Sequence, residues 1–450
     1  MNDITVLLQP IQTIVSRTVL RRLGRIMTAM LAMTGRVTML GLSRWAGRGG
    51  SYRSVQRFFY AMFPWAEVFW HFFRHHLWRP SETYLLAGDE SMVNKAGKET
   101  FGLDRFFCAL AKRKVPAISF FVLSLVSIGE RHSFPLQVQQ IVPSAEEKAA
   151  SQVRAKAKRK PRSGPRRKAG RPLGCLTKSR TEIVLSPELQ RIQKMVQSIL
   201  QSSAGVLKLT YLLLDGHFGS NAALQMTLQC GLHLISKLRA NAALFFPYEG
   251  PQAKQGRRRV YGPQVDYRHL PERYLKATTV EGELQTRIYQ AQLLHHDFSQ
   301  PLNVVILLRT DLVTGASSYT LLFTSDLALP YQQIVAYYTL RFQIEFNFRD
   351  AKQYWGLEDF MNVTKEAVTN AANLALFMTN VSYVLMCPFR KQDPEFSVQD
   401  LKAHYRGYKY AMETIKMLPE KPAESLISRI FRQISGLGTI HPVKRAFCFT

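Results

Sequence analysis

Four residues in the stretch YYTLRFQIEFNFRDAK, Tyr337 to Lys352, have the types that phosphate chemistry uses: Tyr338, Arg341, Glu345 and Lys352, at intervals of three, four and seven. On a helix turning about 100° per residue they share an arc of roughly 60°, beside an apolar arc of Tyr337, Leu340, Ile344, Phe348 and Ala351. The pattern predicts one helix at the edge of a core, with a polar stripe bearing an acid, two cations and a phenol. An Arg and a Glu four apart also stabilise any exposed helix by a few tenths of a kcal/mol. The stripe therefore gains meaning only from what other elements bring to it.

Two further acids stand where strands should end. In SETYLLAGDESMV the apolar run Tyr84 to Ala87 is too short for a helix and leads into Gly88-Asp89-Glu90-Ser91, which predicts a strand delivering Asp89 at its C-terminal edge. In LKLTYLLLDGHFGSNAAL a continuous apolar strand ends in Asp215, followed by a turn and a helix from near Ser220. Either acid also suits an ordinary turn, Asp215-Gly216 especially. Two strand-end carboxylates and one on a later helix converge naturally at the carboxyl edge of a sheet, where open α/β folds place their sites. Three acids gathered there resist ionisation unless a cation sits among them. Magnesium suits carboxylates and phosphate oxygens together, and a pair of such ions about 4 Å apart clamps the oxygens of an in-line phosphoryl transfer.

The elements that position these acids follow in order. VPAISFFVLSLVSIGE, Val115 to Glu130, reads as a central strand; Ser186-Pro187 opens a helix with Leu189, Ile192, Val196, Ile199 and Leu200 on one face, closing near Gly205. From HLISKLRA the chain turns β-rich through GRRRVYG, TRIYQAQLL, PLNVVILLRTD and SSYTLLFTSD. Beyond Asn362 it is helical again. The expected fold class is α/β, a mixed sheet interrupted by a β-rich insertion and flanked by N- and C-terminal helices. The units are residues 1–79 (helical, DNA-binding), 80–239 (core, with a basic flexible loop at 150–176), 240–327 (β insertion), 328–365 (core, with the Glu345 helix) and 366–450 (C-terminal helices).

Charge names the partner. The 450 residues carry 60 Lys and Arg against 32 Asp and Glu, a formal net charge of +28, and a field of that sign attracts polyanions. Residues 1–79 hold eleven arginines, no lysine, and only Asp3 and Glu67 as acids. Within them a helix, a glycine break at Gly47 to Gly50 and a second helix from Ser51 carrying Arg53 and Arg57 outline a helix-turn-helix; simple helical packing is the alternative. The segment Arg154 to Pro172 has ten Lys and Arg and no acid; Lys158, Arg159 and Lys160 are expected to tether phosphates, and Arg257 and Arg258 add to the same field. A membrane is the weaker partner: the most apolar run, near 373 to 386, is short for a span and contains Asn373 and Asn380. The N-terminus lacks the basic start and cleavage site of a secretory signal, so a cytoplasmic, nucleoid-associated protein is expected. Five scattered cysteines, none in C-x-x-C spacing, suggest neither a disulfide framework nor zinc.

The spacing Tyr338-x2-Arg341-x3-Glu345-x6-Lys352 resembles the Y-R-E-K signature of bacterial insertion-sequence transposases, in the branch of the DDE superfamily known as insertion-sequence family four. AGDES and LLLDGHFGS resemble that family's first and second Asp regions, and the β-rich insertion lies where the family has one. The resemblance implies a ribonuclease H-like core with Asp89, Asp215 and Glu345 as ligands of Mg²⁺, or Mn²⁺ in its place. It further implies that Tyr338, Arg341 and Lys352 hold phosphates beside the cut. The substrate would be double-stranded DNA, the terminal inverted repeats of an element and its target, joined by a homodimer in a synaptic complex. Where hairpin-forming members commonly carry a tryptophan after the signature Arg, this chain has Phe342, which leaves Phe342, or Phe245 and Phe246, to stack a base.

Overall fold

The computed structural model describes residues 2–108, 111–149 and 179–441. Lys158, Arg159 and Lys160, with most of the basic segment, lie outside the described residues.

The strand that carries the first acid, β1 (Tyr84–Asn94), is flanked on one side by β3 (Arg113–Ser127), antiparallel to it. β2 (Asp104–Cys108) and β4 (His132–Ile141) both pair antiparallel with β3, along successive stretches of it. On the other side of β1 lie β5 (Tyr211–Leu213) and β6 (His233–Leu238), each parallel to its neighbour. Eleven consecutive residues of β3, Ala117 to Ser127, are buried. Helices cover the sheet on both faces, so a strand there reads as a nearly unbroken apolar run. The order β4-β3-β1-β5-β6, with β3 reversed, is the ribonuclease H-like arrangement.

The β-rich segment extends this same sheet. β7 (Leu244–Pro247), β8 (Tyr261–Gln264), β9 (Leu275–Glu281), β10 (Leu284–His295), β11 (Leu302–Asp311) and β12 (Ser317–Thr324) join it through β12, which pairs antiparallel with β6. Among the described residues the full sheet has 12 strands. GRRRVYG is only in part a strand: Arg257 and Arg258 precede β8 in an exposed loop, because nothing apolar in that tripeptide of arginines anchors it to the sheet.

The N-terminal helices α1 (Asn2–Leu7), α2 (Arg17–Ala32), α3 (Met39–Trp45), α4 (Tyr52–Phe59) and α5 (Trp65–His76) pack with helices from the far end of the chain. Ser51 caps α4 as its sequence predicts, accepting from the Ser54 amide, and Arg53 and Arg57 point outward. α6 (Pro187–Ser203) and α7 (Asn221–Gln229) start at Ser186 and Ser220. They are followed, beyond the β-rich segment, by α8 (Tyr331–Leu340), α9 (Gln343–Gln353), α10 (Lys365–Arg390), α11 (Val398–Lys416) and α12 (Glu424–Ile434).

α10 holds the apolar run that sequence placed below spanning length, within a helix of 26 residues. By length and composition it could cross a membrane, yet 72% of its most apolar window is buried inside the protein. Its asparagines act as internal ties. Asn370 donates to the Phe59 and Ala61 carbonyls and accepts from Trp65 Nε1 at 2.8 Å, and Asn380 donates to the Pro135 carbonyl. A buried polar side chain is tolerated when its hydrogen bonds are met in this way.

Candidate active site

Strand alternation sets which face each acid shares. Leu85 and Ala87 of β1, Leu213 beyond them and Ile235 of β6 form one small apolar cluster with Ile334 and Leu340 of α8. Asp89 continues the odd-numbered series of β1, and Asp215 that of β5, onto the same face. Ala87 aligns with Leu213 across the parallel pair, so Asp89 and Asp215, each two residues further, lie level on neighbouring strands. Asp89 is not at the end of its strand as expected, since β1 runs on to Asn94 against β3. It is at the end of the β1–β5 ladder, because β5 stops at Leu213, three residues long instead of the long apolar strand predicted. Gly88 is required by packing: a Cβ there would meet Phe121 at 2.8 Å and Leu214 at 2.9 Å.

The helix of the polar stripe is two helices. α8 ends at Leu340 and α9 begins at Gln343, with the amides of Phe342, Ile344 and Glu345 bonding three residues back at 3.0 to 3.1 Å instead of four. This tight turn lets α8 rest on β6, β11 and β12 while α9 rests on β1, β3 and β4. The junction therefore crosses the sheet over β1, and Arg341 stands at the junction.

Arg341 gathers the acids. Its Nη1 donates to Asp89 Oδ2 at 2.5 Å, and its Nη2 lies 3.7 Å from Glu345 Oε1. Its guanidinium also lies 5.7 Å from the Tyr338 ring centroid. Burial pushes the Asp89 carboxyl above the usual range; Arg341 opposes that and the Asp215 charge adds to it. Glu345 is raised by burial and by Asp89, again against Arg341. Burial raises the Tyr338 phenol; Arg341 partly offsets this, and the Asp215 and Asp89 charges add to the rise. Asp215 accepts from the His217 amide at 3.1 Å, which caps the short turn Gly216–Phe218, while its backbone carbonyl accepts from Ser236.

Of the four stripe residues Arg341 touches a strand acid directly, Tyr338 and Glu345 adjoin Arg341, and Lys352 stands apart. Lys352 donates to the Met92 carbonyl of β1 at 2.8 Å and lies 3.6 Å from Glu358. It shares a face of α9 with Glu345 but stands two helical turns further on, where it braces β1 three residues beyond Asp89. Arg53, Arg57, Arg257 and Arg258 are exposed on other elements and make no contact with the acids.

Sequence reading missed a group on the opposite face of β1. Glu90 accepts from the Ser119 hydroxyl, and His217 Nε2 lies 3.4 Å from Glu188 Oε1 at the start of α6. The bond to Glu188, reinforced by the Asp215 and Glu90 charges, outweighs burial and raises the His217 imidazole. The signal was present, since His217 stands two residues beyond Asp215.

Among the described residues no three His, Cys, Asp or Glu side chains are placed to close on a metal ion. Arg341 lies between Asp89 and Glu345, within reach of both carboxylates. The donor chemistry fits a hard divalent ion, with carboxylate oxygens on three elements. The buried Nε of Arg341 also lacks a hydrogen-bond partner, leaving a donor for a further oxygen. No curated protein matches the chain. A family model described as DDE superfamily endonuclease matches residues 10–300, which takes in Asp89 and Asp215 and stops before Glu345. With that match over more than half its length, on a ribonuclease H-like sheet, the chain belongs to the DDE superfamily of endonucleases, enzymes that cut DNA and generally use divalent metal ions.

Proposed function

We propose that this endonuclease is a DNA transposase of the insertion-sequence family four kind, cutting the ends of an element and joining the freed 3′-hydroxyl to target DNA. The observation that carries the reading is the Arg341 bridge, which brings Glu345 of α9 to Asp89 of β1 with Asp215 level beside it. Asp89, Asp215 and Glu345 would hold magnesium, or manganese in its place. When bound, such ions supply an activated water and neutralise charge on the phosphate.

The remaining work belongs to the chain's own groups. Arg341, released from Asp89, offers a planar fork to the phosphate oxygens of the cut strand. Tyr338 orients the same group through its phenol. Phe342 is 48% exposed beside Glu345 and presents a face on which an unstacked base would rest; Phe246 is buried against Tyr274 and cannot. Two protomers, each holding one terminal repeat, would complete the cut-and-paste reaction on nucleoid DNA in the cytoplasm.

Labelled DNA bearing the element's ends, incubated with supercoiled plasmid and Mg²⁺, tests this. Joined products support the transposase. Nicks without joining leave a standalone endonuclease, and tight binding with neither product leaves a regulator.

A further inference from the structure

A cavity of about 330 Å³ lies between the N-terminal helices and α11, far along the chain from the acids. Its walls carry Arg21 and Arg25 of α2, Arg48 of the glycine turn between α3 and α4, and Lys409 and Lys416 of α11. The single acid among its lining residues is Glu413, 3.0 Å from Lys416. Two of the cations build the cleft. Arg25 Nη1 donates to the Gly49 carbonyl at 3.1 Å, and Lys409 Nζ donates to the Trp45 carbonyl at the end of α3. Together they pin the glycine turn between α2 and α11, and Gly47 and Gly49 supply the left-handed backbone that the turn needs.

Arg21, Arg48 and Lys416 are left at the rim with their charges exposed. Among the described residues neither Arg21 nor Arg48 has a carboxylate within ion-pairing distance. Five cations converging on a preformed cleft whose lining holds one acid, Glu413, cost folding energy through mutual repulsion, and a polyanion relieves that cost. The cleft continues along the exposed Arg17 of α2, one turn before Arg21, and the same glycine turn leads into α4 with Arg53 and Arg57 exposed. A track of phosphates matches this spread of charge better than a single small anion does.

We infer that this cleft is a composite site for the DNA backbone, with α11 supplying half of a surface otherwise built by the N-terminal helices. The inference rests on DNA being the substrate, and it adds that the C-terminal helices read phosphates. Binding of an end duplex to the full chain, followed by fluorescence anisotropy over a salt series with a chelator present, separates it from the chemistry. Arg21→Ala, Arg48→Ala and Lys416→Ala should each weaken binding to specific and scrambled duplexes alike and reduce the salt slope by about one. Unchanged affinity and slope in Lys416→Ala would overturn the composite site, as would inorganic phosphate competing at the concentration of duplex phosphates. Circular dichroism confirms that each rim variant folds, because Arg25 and Lys409, which hold the turn, are left intact. Weakened binding in these variants supports the cleft even if the protein neither cuts nor joins DNA, an outcome that would remove the proposed reaction alone.

Discussion

Arg341 is the counter-ion of Asp89: 2.5 Å separate them, and both side chains are largely shielded from water. A buried charge deprived of its partner costs about 3–5 kcal/mol. Arg341→Gln should therefore lower the unfolding midpoint in the absence of metal, and added Mn²⁺ should restore much of the loss by binding the folded state. The same variant should bind Mn²⁺ more tightly than the wild type by calorimetry, since the guanidinium no longer competes for Asp89 and Glu345. DNA cleavage should nonetheless fall if Arg341 holds the phosphate of the cut strand as proposed. Equal Mn²⁺ affinity in the two proteins would show that Arg341 does not occupy the cation's place.

Lys352 is expected to act through β1 rather than on DNA. Lys352→Met removes one hydrogen bond to the Met92 carbonyl and should cost about 1–2 kcal/mol in urea unfolding. The salt slope of DNA binding should stay unchanged. A slope reduced by about one would instead place its ammonium on a phosphate.

Phe342 and Phe346 stand edge to face at 5.5 Å, both partly exposed, and the Arg349 guanidinium lies over the Phe346 ring at 4.9 Å. Phe342→Ala should reduce binding to ends carrying an unpaired base by about 1–3 kcal/mol, with less effect on intact duplex. 2-Aminopurine placed at the unpaired position reads stacking directly; fluorescence that is equally quenched in the variant would exclude Phe342.

Asp400 is fully buried and fastens the chain's last described residues to the start of α11. It accepts from Ser397, from the Ile440 and His441 amides and from His441 Nδ1. Burial opposes its charge, but these bonds prevail and hold the carboxyl down at about 2. A depressed acid contributes stability above its unfolded value, near 3.9, and loses it as pH falls through the folded value. His441 is raised by Asp400, so its share is complete below the ordinary imidazole range and fades as pH rises through the raised one. Hydrogen exchange at the Ile440 amide should accelerate in acid below about pH 4. Asp400→Ala should abolish that protection at every pH and cost about 3 kcal/mol in stability. Protection that persists in Asp400→Ala would refute the clasp.

Much of the fold was legible because its signals are local. Ser51, Ser186 and Ser220 announce helix starts through side chains that cap the next turn, and the apolar run of β3 requires burial on both faces. Asp89 and Asp215 were legible for a similar reason, each following an apolar run with a glycine beside it. Arg257 and Arg258 were misplaced because a strand pattern is weak when the residues that carry it are all charged.

The sequence by itself determined the residue types, the basic charge and the order of elements. Only tertiary structure decided which stripe residues meet the acids, since helical phase holds only while the helix is unbroken. The turn at Arg341 and Phe342 resets that phase and aims Arg341 at β1, while Glu345 and Lys352 share a face of α9, the first within reach of Arg341 and the second two turns on at the Met92 carbonyl. Where a helix bends is settled by the two patches of sheet it must cover: β11 and β12 lie just upstream in the chain, whereas β1, β3 and β4 lie about two hundred residues earlier.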